Sequence, residues 1–436
     1  MYNQNDTIYA LASGLGTAGV AVIRISGAES LSILKKLTKI TQPEPNCAYF
    51  SAISFRGKVL DKALVLYFRA PHSFTGEDIL ELQVHGGRGV IQAIYQALGS
   101  FKHCRPAERG EFSRRAVING KMDLTEAEGL LDLVHAETEQ QRRQALAQMD
   151  GNLSKLYETW RSQLVHHLAY AEAFIDFPEE DIPPEKEKEI NTNIQTLIKQ
   201  IQEHLNDEKR GERLREGFQI AIIGAPNVGK SSLINALTHK EVAIVSQIAG
   251  TTRDIVEAHL DVDGFPVILA DTAGLRESAG QIEAEGIKRA VKKAEQADLI
   301  LFVQDATAKK AQEPPKPLLK KRIITIWNKT DLLRNKKKKE GHFLSAKTGA
   351  GITALWTEIK QILLNSASGE AVITRERYRV ALKECVSHLK SALQATALEL
   401  KTEDLRMAAR SLGRITGRID VDELLDVIFR DFCIGK

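Results

Sequence analysis

Gly224-Ala225-Pro226-Asn227-Val228-Gly229-Lys230-Ser231 has the spacing GxxxxGK[ST]. The apolar run Phe218 to Ile223 just before it reads as a buried strand, and Leu233 to Leu237 after it reads as one face of a helix. Glycines at these positions let consecutive backbone N–H groups curl around phosphates. Lys230 places a cation near the β and γ oxygens, and the Ser231 hydroxyl can meet Mg²⁺. A strand, a tight turn and a helix are expected here, and with them an α/β P-loop domain whose contacts include Asn227, Val228, Gly229, Lys230, Ser231 and Ser232.

The motifs that follow fix the nucleotide. Val242 leads through an apolar stretch to Gly250-Thr251-Thr252-Arg253-Asp254, and a hairpin-like pair surrounds Asp263-Gly264. Ala270 is then followed by Asp271-Thr272-Ala273-Gly274. An aspartate closing an apolar strand, with glycine three residues on, suits an element on the metal side whose backbone meets the γ-phosphate. Farther on, Ile323 to Trp327 ends in Asn328-Lys329-Thr330-Asp331, and Leu344 precedes Ser345-Ala346-Lys347. The Asp331 carboxylate can accept from the adjacent N–H donors of guanine. Adenine would leave it unpaired, which discriminates strongly between the bases. The nucleotide is therefore expected to be GTP, with Lys230, Asp271 and Thr252 in catalytic positions.

Ala273 lies inside the DxxG motif and Leu275 follows it, so no side chain there can orient water as the glutamine of Ras-like GTPases does. Hydrolysis must borrow a group from elsewhere. An arginine or a monovalent cation can neutralise charge developing between the β and γ phosphates, and Asn227 and Gly250-Thr251-Thr252 are placed to take part.

Length and composition bound the rest. At 436 residues the chain exceeds what one core usually serves, so about two to four domains are expected. Lys+Arg 60 against Asp+Glu 57 gives a net charge of +3, too small to indicate nucleic-acid binding from bulk charge. Lys336 to Lys339 reads as a solvated surface loop, with nucleic-acid contact the alternative. The N-terminus lacks a signal pattern and no apolar run approaches a membrane span, so a cytoplasmic, soluble protein without membrane contact is expected. Cys47, Cys104, Cys385 and Cys433 show no metal spacing and are expected to be reduced. Cys433-Ile434-Gly435-Lys436 fails as a prenylation box.

Around the nucleotide segment the chain changes character. Residues 20–25 and 63–68 read as strands and 89–98 as a helix, giving an N-terminal α+β domain. Polar islands at Ser73 to Asp78, His85 to Gly89 and Arg105 to Phe112 sit on loops that can line a ligand site. His85 reads as a hydrogen-bonded structural residue, and Gly86-Gly87-Arg88-Gly89 matches the KH-loop GxxG without its domain context. Thr125-Glu126-Ala127-Glu128 reads as a capping box that starts a helix. Apolar stripes through Leu153 to Ile175 and Ile190 to Leu205 flank a proline-rich acidic linker, and Asp207 to Glu216 reads as a solvated boundary. A linker at Asn365 to Glu370 precedes stripes through Leu382 to Leu393 and Leu405 to Ile415, and the apolar run Val421 to Phe432 is expected to dock. The two helical arms are expected to pack together, which makes the nucleotide domain an insertion in an α-helical domain. The expected boundaries are 1–120, 121–214, 215–368 and 369–436.

Gly250-Thr-Thr-Arg-Asp254, Asp271-Thr-Ala-Gly-Leu275, Ser73-Phe-Thr-Gly-Glu-Asp78 and the terminal Cys433-Ile-Gly-Lys436 together resemble the MnmE (TrmE) family of tRNA-modification GTPases, over essentially the whole chain. The resemblance implies a multidomain fold: an N-terminal α+β folate-binding and homodimerising domain, an α-helical domain and an inserted α/β P-loop (Ras-like) G domain. It implies a flavoprotein partner of the GidA/MnmG type, which carries FAD and joins this chain in a heterotetramer or larger complex. Together they place an aminomethyl or carboxymethylaminomethyl group on carbon 5 of the wobble uridine of certain tRNAs. The one-carbon unit comes from a reduced tetrahydrofolate derivative, 5-formyl or 5,10-methylene. The related alternative is a ribosome-assembly or regulatory GTPase that shares only the G domain.

Carried over by motif, Arg24, Glu81, Lys121 and Lys436 resemble folate contacts, although Met122 stands where the family has leucine. Asn227, Ser246, Ile248 and Thr251 resemble K⁺ ligands, and Ser231 and Thr252 resemble Mg²⁺ ligands. Gln247, Ala249 and Gly250 would line the nucleotide beside them, with Thr272, Ala273 and Gly274 opposite. Glu283 aligns with a glutamate that orients water, and Cys433 with a functional thiol.

Overall fold

The computed structural model describes residues 6–14, 16–176, 184–239, 242–243, 257–271, 291–308, 310–333, 340–365, 372–419, 425 and 428–435. Its contacts divide the chain into two units: Met1–Leu131 with Tyr157–Arg161 and Arg410–Lys436, and Asp132–Leu156 with Ser162–Ala409.

The first unit begins with β1 (Thr7–Leu11), β2 (Ala21–Ser26), α1 (Ser30–Leu37), β3 (Ala48–Phe55) and β4 (Lys58–Phe68). It continues through β5 (Ile79–Val84), α2 (Arg88–Leu98), β6 (Cys104–Pro106) and α3 (Glu111–Ile118), and α4 (Leu124–His135) opens within it. The sheet order is β3-β4-β5-β2-β1-β6. Every pairing is antiparallel except β1 with β6.

Period-two alternation sends Ile23, Ile25, Leu80 and Leu82 to one face, where Ile33 and Leu34 of α1 and Ile94 and Leu98 of α2 cover them. On the opposite face Ile8 and Ala10 pack with Phe74 and Phe112. The tail docks in this unit as expected, with Leu425, Phe429 and Phe432 against Leu124 and Ala127. Gly435 (φ +102°) is required there, because a Cβ would stand 2.2 Å from the Leu11 carbonyl oxygen.

The capping box lies two residues upstream of the expected one. Asp123 Oδ1 accepts the Glu126 N–H at 2.9 Å, and Glu126 Oε2 accepts the Asp123 N–H at 2.8 Å. A carboxylate is the better cap, so Asp123 takes the end of α4, while Thr125 and Glu128 are buried.

The second unit holds α5 (Glu139–Met149), most of α6 (Asn152–Asp176), α7 (Pro184–Leu205), α8 (Arg210–Glu216), β7 (Phe218–Ile223) and α9 (Lys230–Thr238). Next come β8 (Val242–Ala243), β9 (Glu257–Val262), β10 (Phe265–Asp271), β11 (Leu299–Asp305), β12 (Ile323–Asn328) and β13 (His342–Phe343). Three helices close it: α10 (Ile352–Asn365), α11 (Glu376–Gln394) and α12 (Leu398–Thr416), the last as far as Ala409. The sheet order is β13-β12-β11-β7-β10-β9-β8, parallel from β13 to β10. Both faces are covered. Ile220 and Ile222 meet Leu233 of α9 and Leu355 and Ile359 of α10, whereas Ala221 and Ile223 meet Ala294 and Ala297. Strands buried on both faces read as continuous apolar runs, which is how Phe218 to Ile223 reads.

The helical arms are tied together. Gln148 of α5 donates to the Tyr378 hydroxyl at 3.2 Å and accepts from the Thr374 hydroxyl at 2.9 Å. Asp207 to Glu216 is not the solvated boundary expected. Arg379, 5% exposed, donates to Asp207 at 2.8 Å and to Glu212 at 3.1 Å. The cation that draws these acids inward comes from the distant arm, so the local charge run misleads. Among the described residues no helix is long and apolar enough to cross a membrane.

Candidate functional site

The phosphate loop leaves the C-terminal end of β7, which lies between β11 and β10 where the strand order reverses. Gly224 (φ +156°) passes so close to β11 that a Cβ would stand 2.2 Å from the Val303 carbonyl oxygen. Asn227 adopts a left-handed φ of 62° with its side chain exposed, and Gly229 (φ 94°) caps α9. The loop's N–H groups and the N-terminus of α9 thus form a concave donor surface suited to anions. Lys230 Nζ donates to the carbonyls of Gly224 and Ala225, each at 2.9 Å, which tethers the cation over the loop. Ser231 and Ser232 are exposed on the first turn of α9. Asp271 ends β10 in register with Ile222, so its backbone lies beside the loop's origin.

At the other end Asn328, 2% exposed, joins two loops: its Nδ2 donates to the Val228 carbonyl at 2.9 Å and its Oδ1 accepts the Ala346 N–H at 2.9 Å. Lys329 Nζ pairs with Asp305 at 2.7 Å. Burial of Asp305 works against its charge, but Lys329 and Thr307 hold its carboxyl below the usual range. Asp331 is exposed, and its Oδ1 accepts the hydroxyl of buried Ser345 at 2.6 Å. A neutral hydroxyl orients the carboxylate without neutralising it, which preserves it as an acceptor for paired N–H donors. Lys347 is exposed on the same loop. The structure thus brings Val228, Asn328, Asp331, Ser345 and Ala346 together. Ser246, Gln247, Ile248, Ala249, Gly250, Thr251, Thr252, Thr272, Ala273, Gly274, Glu283 and Lys436 lie outside the described residues, as does the run Lys336 to Lys339.

In the first unit Arg24 and Glu81 face each other across β2 and β5, with Arg24 Nε donating to Glu81 Oε1 at 2.8 Å. The Arg24 guanidinium carbon lies 5.5 Å from the Phe74 ring centroid and 5.8 Å from that of Phe112. Lys121 is exposed, and its stem lies alongside Gly76. His85 Nδ1 bonds Asp61 at 2.8 Å, in keeping with a structural histidine. Cys433 is exposed, and its carbonyl accepts the Gly110 N–H at 3.3 Å.

The residue that sequence reading missed here is Arg115. It donates to Glu77 Oε2 and to Glu111 Oε1, both at 3.0 Å, and Arg105 donates to Glu111 at 2.7 and 2.9 Å. Ser26 donates to Glu77 at 2.7 Å and bonds the Thr75 hydroxyl at 2.7 Å. The first and third polar islands are therefore one network. Burial opposes ionisation of Glu111, yet Arg105, the Glu108 N–H and Arg115 hold its carboxyl below the ordinary range. The one local signal was the Glu111, Arg115 spacing on one helix face.

The family description "MnmE helical domain" matches residues 124–433, and "GTP-binding protein TrmE N-terminus" matches residues 7–121. The tRNA modification GTPase MnmE of Paramagnetospirillum magneticum is 50% identical, with 99% of this chain and 100% of that protein aligned. That of Rhodospirillum rubrum is 49% identical over 99% of both. A mitochondrial protein of Danio rerio, 5-taurinomethyluridine-[tRNA] synthase subunit GTPB3, is 43% identical over 99% of this chain and 93% of its own. Matches of this extent, across both sheets and the helical arms, mean that the chain belongs to the MnmE family of tRNA-modification GTPases.

Proposed function

We propose that this chain is a GTP-driven switch in the cytoplasm that acts with a flavoprotein partner on the wobble uridine of tRNA, using a one-carbon unit from a reduced folate. The observation that carries the nucleotide part is the Asp331 carboxylate oriented by Ser345 while Asn328 joins the base loops to the phosphate loop. These groups recognise guanine and transmit its presence to the phosphate end. Ser231 and Thr252 would hold Mg²⁺, which would supply charge neutralisation at the β and γ oxygens. Asn227, Ser246, Ile248 and Thr251 would hold K⁺, which supplies positive charge between those phosphates in place of an arginine. Exposed, left-handed Asn227 supports this assignment, and Glu283 would orient water.

For the folate, the paired Arg24 and Glu81 offer a fixed carboxylate edge beside two aromatic rings, with Lys121 and Lys436 as cations for an acidic tail. The same face of the sheet bears Phe50, 73% exposed, opposite Leu64, 41% exposed, which supports homodimerisation through this unit. The boundaries 1–120, 121–214, 215–368 and 369–436 belong to this reading. Nucleoside analysis of tRNA from cells lacking this protein tests it. Loss of the 5-substituted wobble uridine is expected, and an unchanged content contradicts it.

A further inference from the structure

The β3–β4 hairpin closes through Arg56 (φ 48°) and Gly57 (φ 77°), a turn of the type I′ geometry that matches strand twist and puts residue 56 at its tip. The Arg56 guanidinium carbon lies 5.1 Å from the centroid of the Phe55 ring. Phe55 packs on Phe101 with centroids 6.3 Å apart, and Lys36 Nζ lies 5.4 Å from the centroid of Phe101. Two cations, one from α1 and one from the hairpin turn, thus sit on an aromatic pair formed by β3 and the loop after α2. Further cations adjoin it: Lys58 pairs across the turn with Phe55, Lys102 follows Phe101, and Lys39 lies three residues beyond Lys36. All five cations are exposed, and none forms an ion pair among the described residues.

Lys36 also suits the negative C-terminal end of α1, but that accounts for one cation of the set. The less exposed Arg24, Arg105 and Arg115 of this unit, by contrast, are answered by carboxylates. A patch that keeps unpaired cations on aromatic faces is complementary to a phosphodiester backbone with exposed bases. We infer that this end of the first unit is a docking surface for the backbone of the RNA substrate. The inference rests on the tRNA reading above and names where the RNA lies.

The test uses the full-length chain and a labelled tRNA with a wobble uridine, with binding measured by anisotropy across a salt series. Lys36→Gln, Arg56→Gln and Lys102→Gln combined should weaken binding about tenfold or more at low salt and reduce the log–log salt slope by about 2. GTP turnover without tRNA should be unchanged. Lys102→Glu, a single change in an exposed loop, should weaken binding alone and covers the case of a misfolded triple variant. If the wild-type chain binds tRNA and the variants bind it with the same affinity and slope, the surface is wrongly assigned. If the variants instead lose binding to phosphatidylserine vesicles and keep tRNA, it is equally wrong. A wild-type chain that binds no tRNA removes the broader reading as well, so the two failures are distinguishable.

Discussion

The two sheets of this molecule handle charge in opposite ways. In the second unit Asp331 and Asn328, beyond and at the end of β12, are oriented by neutral partners, although Lys329 between them pairs with Asp305: Ser345 holds Asp331, and the Val228 carbonyl and Ala346 N–H hold Asn328. In the first unit three carboxylates are matched by guanidinium groups, Glu81 by Arg24, and Glu77 and Glu111 by Arg115. A carboxylate held by a hydroxyl keeps its charge for a ligand. One held by an arginine has spent most of that charge on the fold, and a ligand must bridge or displace the pair.

This difference predicts the largest effect at Asp331. Asp331→Asn should lower GTP affinity about a hundredfold or more, because two charge-assisted hydrogen bonds are lost. Calorimetric titration should show xanthosine triphosphate recovering what GTP loses, and unchanged GTP affinity would break the contrast. The next effect is on stability. Arg115→Leu leaves Glu111, 3% exposed, without one of its cations, and should cost about 3–5 kcal/mol in urea unfolding. Adding Glu111→Leu should restore part of that loss, since an apolar replacement removes the stranded charge.

The pH dependence carries the same sign. The folded Glu111 carboxyl lies below its ordinary 4.5, so its contribution is complete above that pH and is lost as pH falls through the lower folded value. Acid unfolding of wild type should show this loss, and Arg115→Leu should flatten it. The smallest effect is at the surface. Arg142 and Arg143 hold the exposed Glu139 carboxyl down to about 2, but solvent screens such pairs, so Arg142→Ala should leave the unfolding midpoint unchanged. A clear drop there would mean that exposed pairs count as much as buried ones.

The same contrast explains what could be read in advance. Residues 224–231, 328–331 and 345–347 are contiguous because a parallel strand delivers its site residues in one short loop at its C-terminal end. The sheet, its helices and the meeting of residues 328–331 with 345–347 were therefore legible. The N-terminal network was not, because Ser26, Glu77, Glu111 and Arg115 come from separate elements and meet only in the fold. Arg379 misled for the same reason: it reaches Asp207 across 172 positions of sequence. The α4 cap was missed on a finer point, since Asp123 and Thr125 both offer a capping oxygen and only the competition between them decides.

In the mechanism proposed above, nucleotide turnover depends on a cation held at the phosphate loop rather than on a glutamine after DxxG. The most direct measurement is GTP hydrolysis by the full-length chain in KCl and in NaCl at equal ionic strength, for wild type and Asn227→Ala. Wild type should turn over more than about tenfold faster in KCl, a modest share of what an arginine finger contributes elsewhere, and Asn227→Ala should lose that advantage. Equal wild-type rates in the two salts, or full K⁺ stimulation without the Asn227 side chain, would contradict the account.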